Sequence, residues 1–244
     1  MLYWCVRQRS GPLVKECRAI RPRFGAADDS RTRAEKAAIL RPRLCAVSRR
    51  PADRLEIRLA VFGFDGIFYT LTYRDAPEKF QDVRRDLRNF LGWLRRRAFG
   101  EGTRERGQPF DYAYCIEGKH SRWHVHLILR RSEFPPGAVV SGWSGHGFVD
   151  DEPLLRKDGG FWRIAEYLNK ERRGGVLPVG SHPWSVSRSV LRQVPPVERW
   201  RDECGEIAVP PDAAWVGPRM TLVNNFGEYR YASWIEAEPG RVLT

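Results

Sequence analysis

A long amphipathic helix flanked by strand-like runs limits the fold of this chain more than any other feature. From Pro77 onward, apolar residues fall at Phe80, Val83, Leu87, Phe90, Leu91, Leu94 and Ala98, a spacing that gathers them on one helical face. Such a stripe must be buried against a second layer. That layer is legible on both sides. Before the helix, Leu55 to Phe62 and Ile67 to Tyr73, separated by a turn at Gly63 to Gly66, are rich in β-branched and aromatic residues and read as two antiparallel strands. After it, beyond a glycine-rich turn over 100–107, Phe110 to Glu117 and Trp123 to Arg131 read as two more, joined by the polar stretch Gly118 to Arg122. A loop from Pro135 to Gly160 follows. A second helix then spans Phe161 to Arg172 and is stopped by Gly174-Gly175, and Met220 to Trp234 reads as a hairpin turning at Asn224 to Gly227. The order β-β-α-β-β-α-β-β predicts an α+β fold, a mainly antiparallel sheet of about five strands with helices covering one face.

Residues 1–54 carry runs such as Arg21-Pro22-Arg23 and Arg41-Pro42-Arg43, with little periodicity outside a short helical stretch near Thr32 to Leu40. They are read as a basic arm, followed by one domain over residues 55–244. The chain has 42 Lys and Arg against 30 Asp and Glu, a net charge of +12, which favours a polyanionic partner, nucleic acid first. Arg84, Arg85, Arg88, Arg95, Arg96 and Arg97 on the first long helix are either its solvated side or phosphate contacts. No run approaches the ~20 apolar residues of a membrane span, so a cytoplasmic location is expected. The five cysteines are scattered, with no Cys-x-x-Cys pair, and read as reduced thiols; a small metal site shared by Cys5, Cys17 and Cys45 is the alternative.

The chemistry lies in Trp123-His124-Val125-His126-Leu127-Ile128-Leu129. Side chains alternate along a strand, so His124 and His126 project from one face, near enough to ligate one ion, while Val125, Leu127 and Leu129 point to the other. Glu117 ends the preceding strand, and a short connection brings its carboxylate beside the imidazoles. Two histidines and an acid leave coordination positions open for a phosphate oxygen, where an ion acts as a Lewis acid. On the second helix, Phe161, Ile164, Ala165 and Leu168 form the apolar stripe, whereas Tyr167 and Lys170 lie together off its centre. A phenol with its usual pKa near ~10 is a poor nucleophile at neutral pH, and a nearby ammonium such as Lys170 would aid its attack. Each element also has a plainer reading: sheet histidines that make ordinary hydrogen bonds, a strand-end acid paired with Lys119 or an arginine, a half-exposed tyrosine beside a solvated lysine.

Their order adds information. Thr70-Leu71-Thr72 on a strand, then His124-Val125-His126-Leu127-Ile128-Leu129, then Tyr167-Leu168-Asn169-Lys170 on a helix, resembles the three successive motifs of the HUH endonucleases. More narrowly, the set looks like that of rolling-circle replication initiators with a single catalytic tyrosine. The resemblance runs from about Leu55 to Arg192 and includes Ser185-Val-Ser-Arg-Ser189, similar to a stretch that follows the tyrosine helix in phage and plasmid initiators. It implies an HUH-type, RRM-like palm over the 55–244 domain. It also implies a magnesium or manganese ion on His124, His126 and Glu117, and Tyr167 attacking a DNA phosphate with help from Lys170. The product would be a 5′-phosphotyrosyl link and a free 3′-hydroxyl. Positions 163 and 171 are Arg and Glu, so the helix departs from the two-tyrosine pattern.

No Gly-x-x-x-x-Gly-Lys-Ser/Thr loop is present, so strand separation is expected from a host helicase or from supercoiling, and synthesis from a host polymerase in a bacterial cell. Trp123, Trp143 and Trp162, with the arginines, are candidates for stacking and charge contacts to single-stranded DNA at a replication origin. Two other functions stay open: a relaxase or transposase using the same chemistry, and a non-catalytic module that binds single-stranded nucleic acid on an open sheet.

Overall fold

The structure is a computed structural model that describes residues 2–20, 51–75, 77–99, 110–119, 122–135, 137–155, 160–170, 184–224 and 227–238. The expected helical stretch at Thr32 to Leu40, the turn over 100–107 and the Gly174-Gly175 stop lie outside the described residues. The chain forms two compact units, one of Met1–Val61, Lys157–Gly160 and Val194–Thr244, the other of Phe62–Arg156 and Phe161–Gln193.

The first unit is a six-stranded sheet. Strands β1 (Tyr3–Ser10) and β2 (Leu13–Ile20) form a hairpin turning at Gly11, whose φ of 49° suits glycine. The sheet continues with β8 (Glu198–Asp202) beside β1, β11 (Gly227–Ile235) beside β2, and β9 (Trp215–Val216) and β10 (Met220–Asn224) on β11. The C-terminal hairpin therefore has its expected turn. Tyr3 to Ile20, by contrast, read as the start of a basic arm, are paired strands. Their periodicity is hidden because polar residues occupy inward positions: Glu16 is 1% exposed between Arg7 (Nη2 to Oε2 2.6 Å) and Arg18 (Nε to Oε1 2.8 Å), and buried Lys15 pairs with Glu56. The segment from Leu55 is also corrected. It is a helix, α1 (Pro51–Leu59), followed by a 3-10 stretch over Ala60–Asp65, and not a strand. Leu55, Ile57 and Leu59 satisfy a period of two, but Leu55 and Leu59 also lie one helical turn apart. The start at Pro51, an acid in the first turn and Arg58 in the last favour the helix.

The second unit holds the five-stranded antiparallel sheet. Its order is β6 (Gly147–Pro153), β3 (Gly66–Tyr73), β5 (Arg122–Arg130), β4 (Ala113–Lys119) and β7 (Trp184–Val186). The expected α+β architecture holds. One face is apolar: Leu71, Tyr73, Ile116, Val125, Leu127 and Leu129 pack on Val83, Leu87, Phe90 and Leu94 of α2 (Phe80–Phe99) and on Val139 and Trp143 of α3 (Ala138–Trp143). Burying each such aliphatic side chain contributes about 1.5–3 kcal/mol, so this layer holds the unit together. The opposite face carries α4 (Trp162–Lys170), where Cys115 Sγ donates to the Leu168 carbonyl oxygen at 3.6 Å. Helices thus pack on both faces rather than one. The segment expected to loop from Pro135 to Gly160 contains α3 and β6; β6 is hidden in the sequence by Asp150, Asp151, Glu152 and Pro153, residues that blunt an edge strand and carry little strand propensity. A short helix, α5 (Arg188–Gln193), closes the unit.

Candidate nuclease site

Register assembles the site. Val125 and Leu127 are fully buried on the α2 side, which turns His124 and His126 to the other face of β5. Across β3, Thr72 stands opposite His124 and Thr70 opposite His126. Each threonine hydroxyl meets the ring beside it, Thr72 Oγ1 at 3.1 Å from His124 Nδ1 and Thr70 Oγ1 at 3.3 Å from His126 Nδ1. With Nδ1 engaged, it is Nε2 that remains as the outer nitrogen of each ring. Phe68 stacks on His126, with centroids 5.1 Å apart, and holds that ring in place.

Glu117 pairs with His124 from β4, and its carboxylate reaches diagonally so that Oε2 lies 2.8 Å from His126 Nε2. Tyr167 enters from α4. Its hydroxyl donates to Glu117 Oε2 at 2.9 Å and sits 3.4 Å from His126 Nε2, with its ring edge-on to that imidazole at 5.4 Å. The tyrosine is 41% exposed although its hydroxyl is tethered. Helix α4 is anchored by its apolar side, where Ile164, Ala165 and Leu168 are buried, and by Trp184 Nε1 donating to Asn169 Oδ1 at 3.1 Å. His124, His126, Glu117 and Tyr167 are thereby brought to one face. Lys170 is the last residue of α4, and its side chain lies outside the described residues.

Among the described residues, no three His, Cys, Asp or Glu side chains are spaced to hold a metal ion as they stand. Glu117 rests directly on His126 instead. The donor chemistry still suits a divalent ion: two imidazoles and a carboxylate, with each ring oriented by a hydroxyl behind it. A threonine hydroxyl both donates and accepts, so it supports the tautomer in which Nε2–H donates to Glu117 and equally the one in which Nε2 offers a lone pair.

Several expectations are corrected. Trp143 is fully buried between Tyr73 and Phe90 and cannot stack on a nucleobase. Trp123 lies against Phe80 of α2, on the face away from the histidines. Arg84, Arg85, Arg88, Arg95, Arg96 and Arg97 are exposed on a helix that packs on that same far face. Cys5 and Cys17 stand opposite Arg18 and Val6, neighbouring positions of paired strands, and so point to opposite faces, which excludes a shared ion. Ser187 caps α5, its Oγ accepting from Val190 N at 3.4 Å and Tyr112 N at 3.3 Å, so the serine-rich stretch braces β4. Phe68 and Trp184 carry no signal in the sequence because their roles depend on cross-strand pairing alone.

A tyrosine hydroxyl held against a histidine–glutamate pair, on the polar face of an antiparallel sheet, is an arrangement suited to a phosphodiester nucleophile. Residues 66–172, from the first residue of β3 to just past α4, match the family model of the ORF2-type replication-associated protein. That match is consistent with a replication initiator that acts on DNA. Neither a curated protein nor a solved structure matches the chain.

Proposed function

We propose that the chain is a site-specific single-stranded DNA endonuclease and strand transferase that initiates rolling-circle replication through a 5′-phosphotyrosyl intermediate. The observation that carries this reading is the Tyr167 hydroxyl, delivered from a separate helix to within 2.9 Å of Glu117 Oε2 and 3.4 Å of His126 Nε2. In the reaction, the phenol oxygen attacks phosphorus while its proton passes to Glu117 Oε2, the acceptor already in place. The bond from phosphorus to the 3′ oxygen breaks, and that oxygen leaves with a proton as the free 3′-hydroxyl. Strand transfer is the reverse attack by a 3′-hydroxyl on the phosphotyrosine. Thr70 and Thr72 hold the imidazoles in one orientation throughout, and Lys170 is proposed to assist the phenol. A magnesium or manganese ion, held by His124, His126 and Glu117, would supply Lewis-acid stabilisation of the charge that gathers on the phosphate oxygens. The DNA partner is single-stranded origin sequence, with a host helicase and polymerase acting before and after the nick.

The test is a manganese-containing incubation with end-labelled single-stranded oligonucleotides, followed by denaturing electrophoresis. The wild-type protein forms an adduct on the 5′ side of the nick, and Tyr167→Phe forms none while still binding the strand. A Tyr167→Phe protein that nicks normally refutes the assignment.

A further inference from the structure

The polar face of the sheet does not end at the histidines. Across the second unit, one row of register runs Phe148 on β6, Thr72 on β3, His124 on β5 and Glu117 on β4. Strands lie about 4.8 Å apart, so Phe148 is roughly 10 Å from His124 and 14 Å from Glu117, a span of about two to four nucleotides. Phe148 is 63% exposed, the one apolar side chain of β6 turned fully to solvent. The other exposed residues of that strand are Asp150, Asp151 and Pro153. An edge strand with charges and a proline is protected against pairing; a bare phenylalanine works against that protection and calls for another reason.

Phe148 is also held rigidly. Gly147 before it lies so close to β3 that a Cβ there would sit 2.1 Å from the Thr72 carbonyl oxygen. Arg74 N donates to the His146 carbonyl oxygen at 2.9 Å, and His146 N to that of Trp143 at 2.8 Å, tying the strand's entry to the buried Trp143. The Arg74 guanidinium lies 5.6 Å from the Phe148 ring centroid, so a cation flanks the exposed aromatic. Further along the same face come Asp150, opposite Thr70, and Glu152, opposite Phe68. These carboxylates repel a phosphate backbone, which leaves the Phe148 end of the row as the path across β6.

We propose that Phe148, with Arg74 beside it, is a stacking platform for a base of the single-stranded DNA within a few nucleotides of the phosphate at Tyr167. This rests on the nuclease reading above. The ring supplies a sequence-tolerant stacking face and the guanidinium contacts the adjoining phosphate, the combination by which single strands are held without base-edge readout. Because the ring is fixed before the strand arrives, little ordering cost is incurred on binding. Phe148 is a positioning residue and touches none of the reacting atoms.

The test uses the full chain in a Tyr167→Phe background, so that binding is read without nicking. Fluorescence anisotropy with a labelled single strand should show Phe148→Ala weakening affinity roughly 5- to 100-fold, and Phe148→Trp restoring it, with thermal midpoints unchanged because the ring is exposed. An abasic nucleotide moved along the strand should weaken binding at one position near the nick in the parent protein and leave the Phe148→Ala protein insensitive at that position. In the Tyr167-containing protein, adduct formation at saturating DNA should be unaffected by Phe148→Ala while the half-saturating DNA concentration rises. Unchanged affinity of Phe148→Ala, or an abasic penalty that persists at every position, overturns the platform. Should the wild-type protein form no adduct while Phe148→Ala still weakens strand binding, the platform stands and the nuclease reading falls.

Discussion

Glu133→Gln should stabilise the second unit in alkaline buffer and lose that advantage in acid. Glu133 lies in the 3-10 turn Arg131–Glu133 that follows β5, its side chain 21% exposed and its Oε2 buried without a hydrogen-bond partner among the described residues. Burial, with Asp111 nearby, pushes its carboxyl from 4.5 up to about 7, and Arg130, whose Nε is 3.8 Å from Oε1, offsets only part of this. A carboxyl whose pKa is higher folded than unfolded binds its proton more tightly in the folded state. The stability it lends is therefore fully present below pH ~4.5 and is lost as pH rises through ~7. Those values differ by about 2.5 units, a ceiling of about 3.4 kcal/mol at 1.36 kcal/mol per unit, and partial hydration brings the expected loss nearer 2 kcal/mol. Glutamine keeps the shape of the protonated acid without titrating. Urea unfolding followed at pH 5 and pH 8 should show Glu133→Gln within about 0.5 kcal/mol of wild type at the lower pH and about 2 kcal/mol more stable at the higher. A difference that does not change between the two pH values would refute the reasoning.

Thr72→Val removes the hydroxyl behind His124 while preserving volume; by analogy with other partners that orient a metal-bound imidazole, manganese affinity should fall about 10- to 100-fold by calorimetry with little change in melting temperature. Unaltered affinity would separate the threonine from ion binding. Lys15→Met leaves buried Glu56 without the ammonium that meets it and should cost about 3–5 kcal/mol, whereas Lys15→Met with Glu56→Leu should recover most of that in chemical denaturation. A double variant as unstable as the single one would mean that packing, not the unpaired charge, sets the cost.

The site is more legible in the sequence than the fold around it, for a physical reason. Val125, Leu127 and Leu129 alternate with two histidines, a pattern that states which side of the strand is core. The placement of Tyr167 off the apolar stripe of α4 likewise follows from helical periodicity alone. What escapes are elements whose inward residues are polar. Lys15, Glu16 and Arg18 are buried through ion pairs across strands and from α1, so no alternation marks β1 and β2. The acids of β6 face outward on an edge, so they suppress the strand signal without preventing the pairing. Trp143 reads as part of a nucleic-acid surface because a tryptophan in a glycine-rich, polar neighbourhood gives no local indication of burial. Its environment comes from Tyr73 and Phe90, far away in sequence.

The core and the candidate site are, in consequence, a single constraint. A one-residue slip of β5 against β3 would carry both histidines into the apolar layer under α2 and bring Val125 and Leu127 out to face Tyr167. The same pairing that buries Leu71 against Val125 sets Thr70 and Thr72 against the two imidazoles. Register is thus selected by the leucines and valines, and the chemistry inherits it at no separate cost in stability. Tyr167 is the exception. It arrives on α4, fastened by Leu168, Asn169 and Trp184 rather than by the strand ladder, and stays 41% exposed at its working end. A nucleophile on a helix with its own anchors can tilt by a fraction of an ångström without disturbing the histidines. That freedom suits a group that must first release Glu117 and then carry a covalently attached strand.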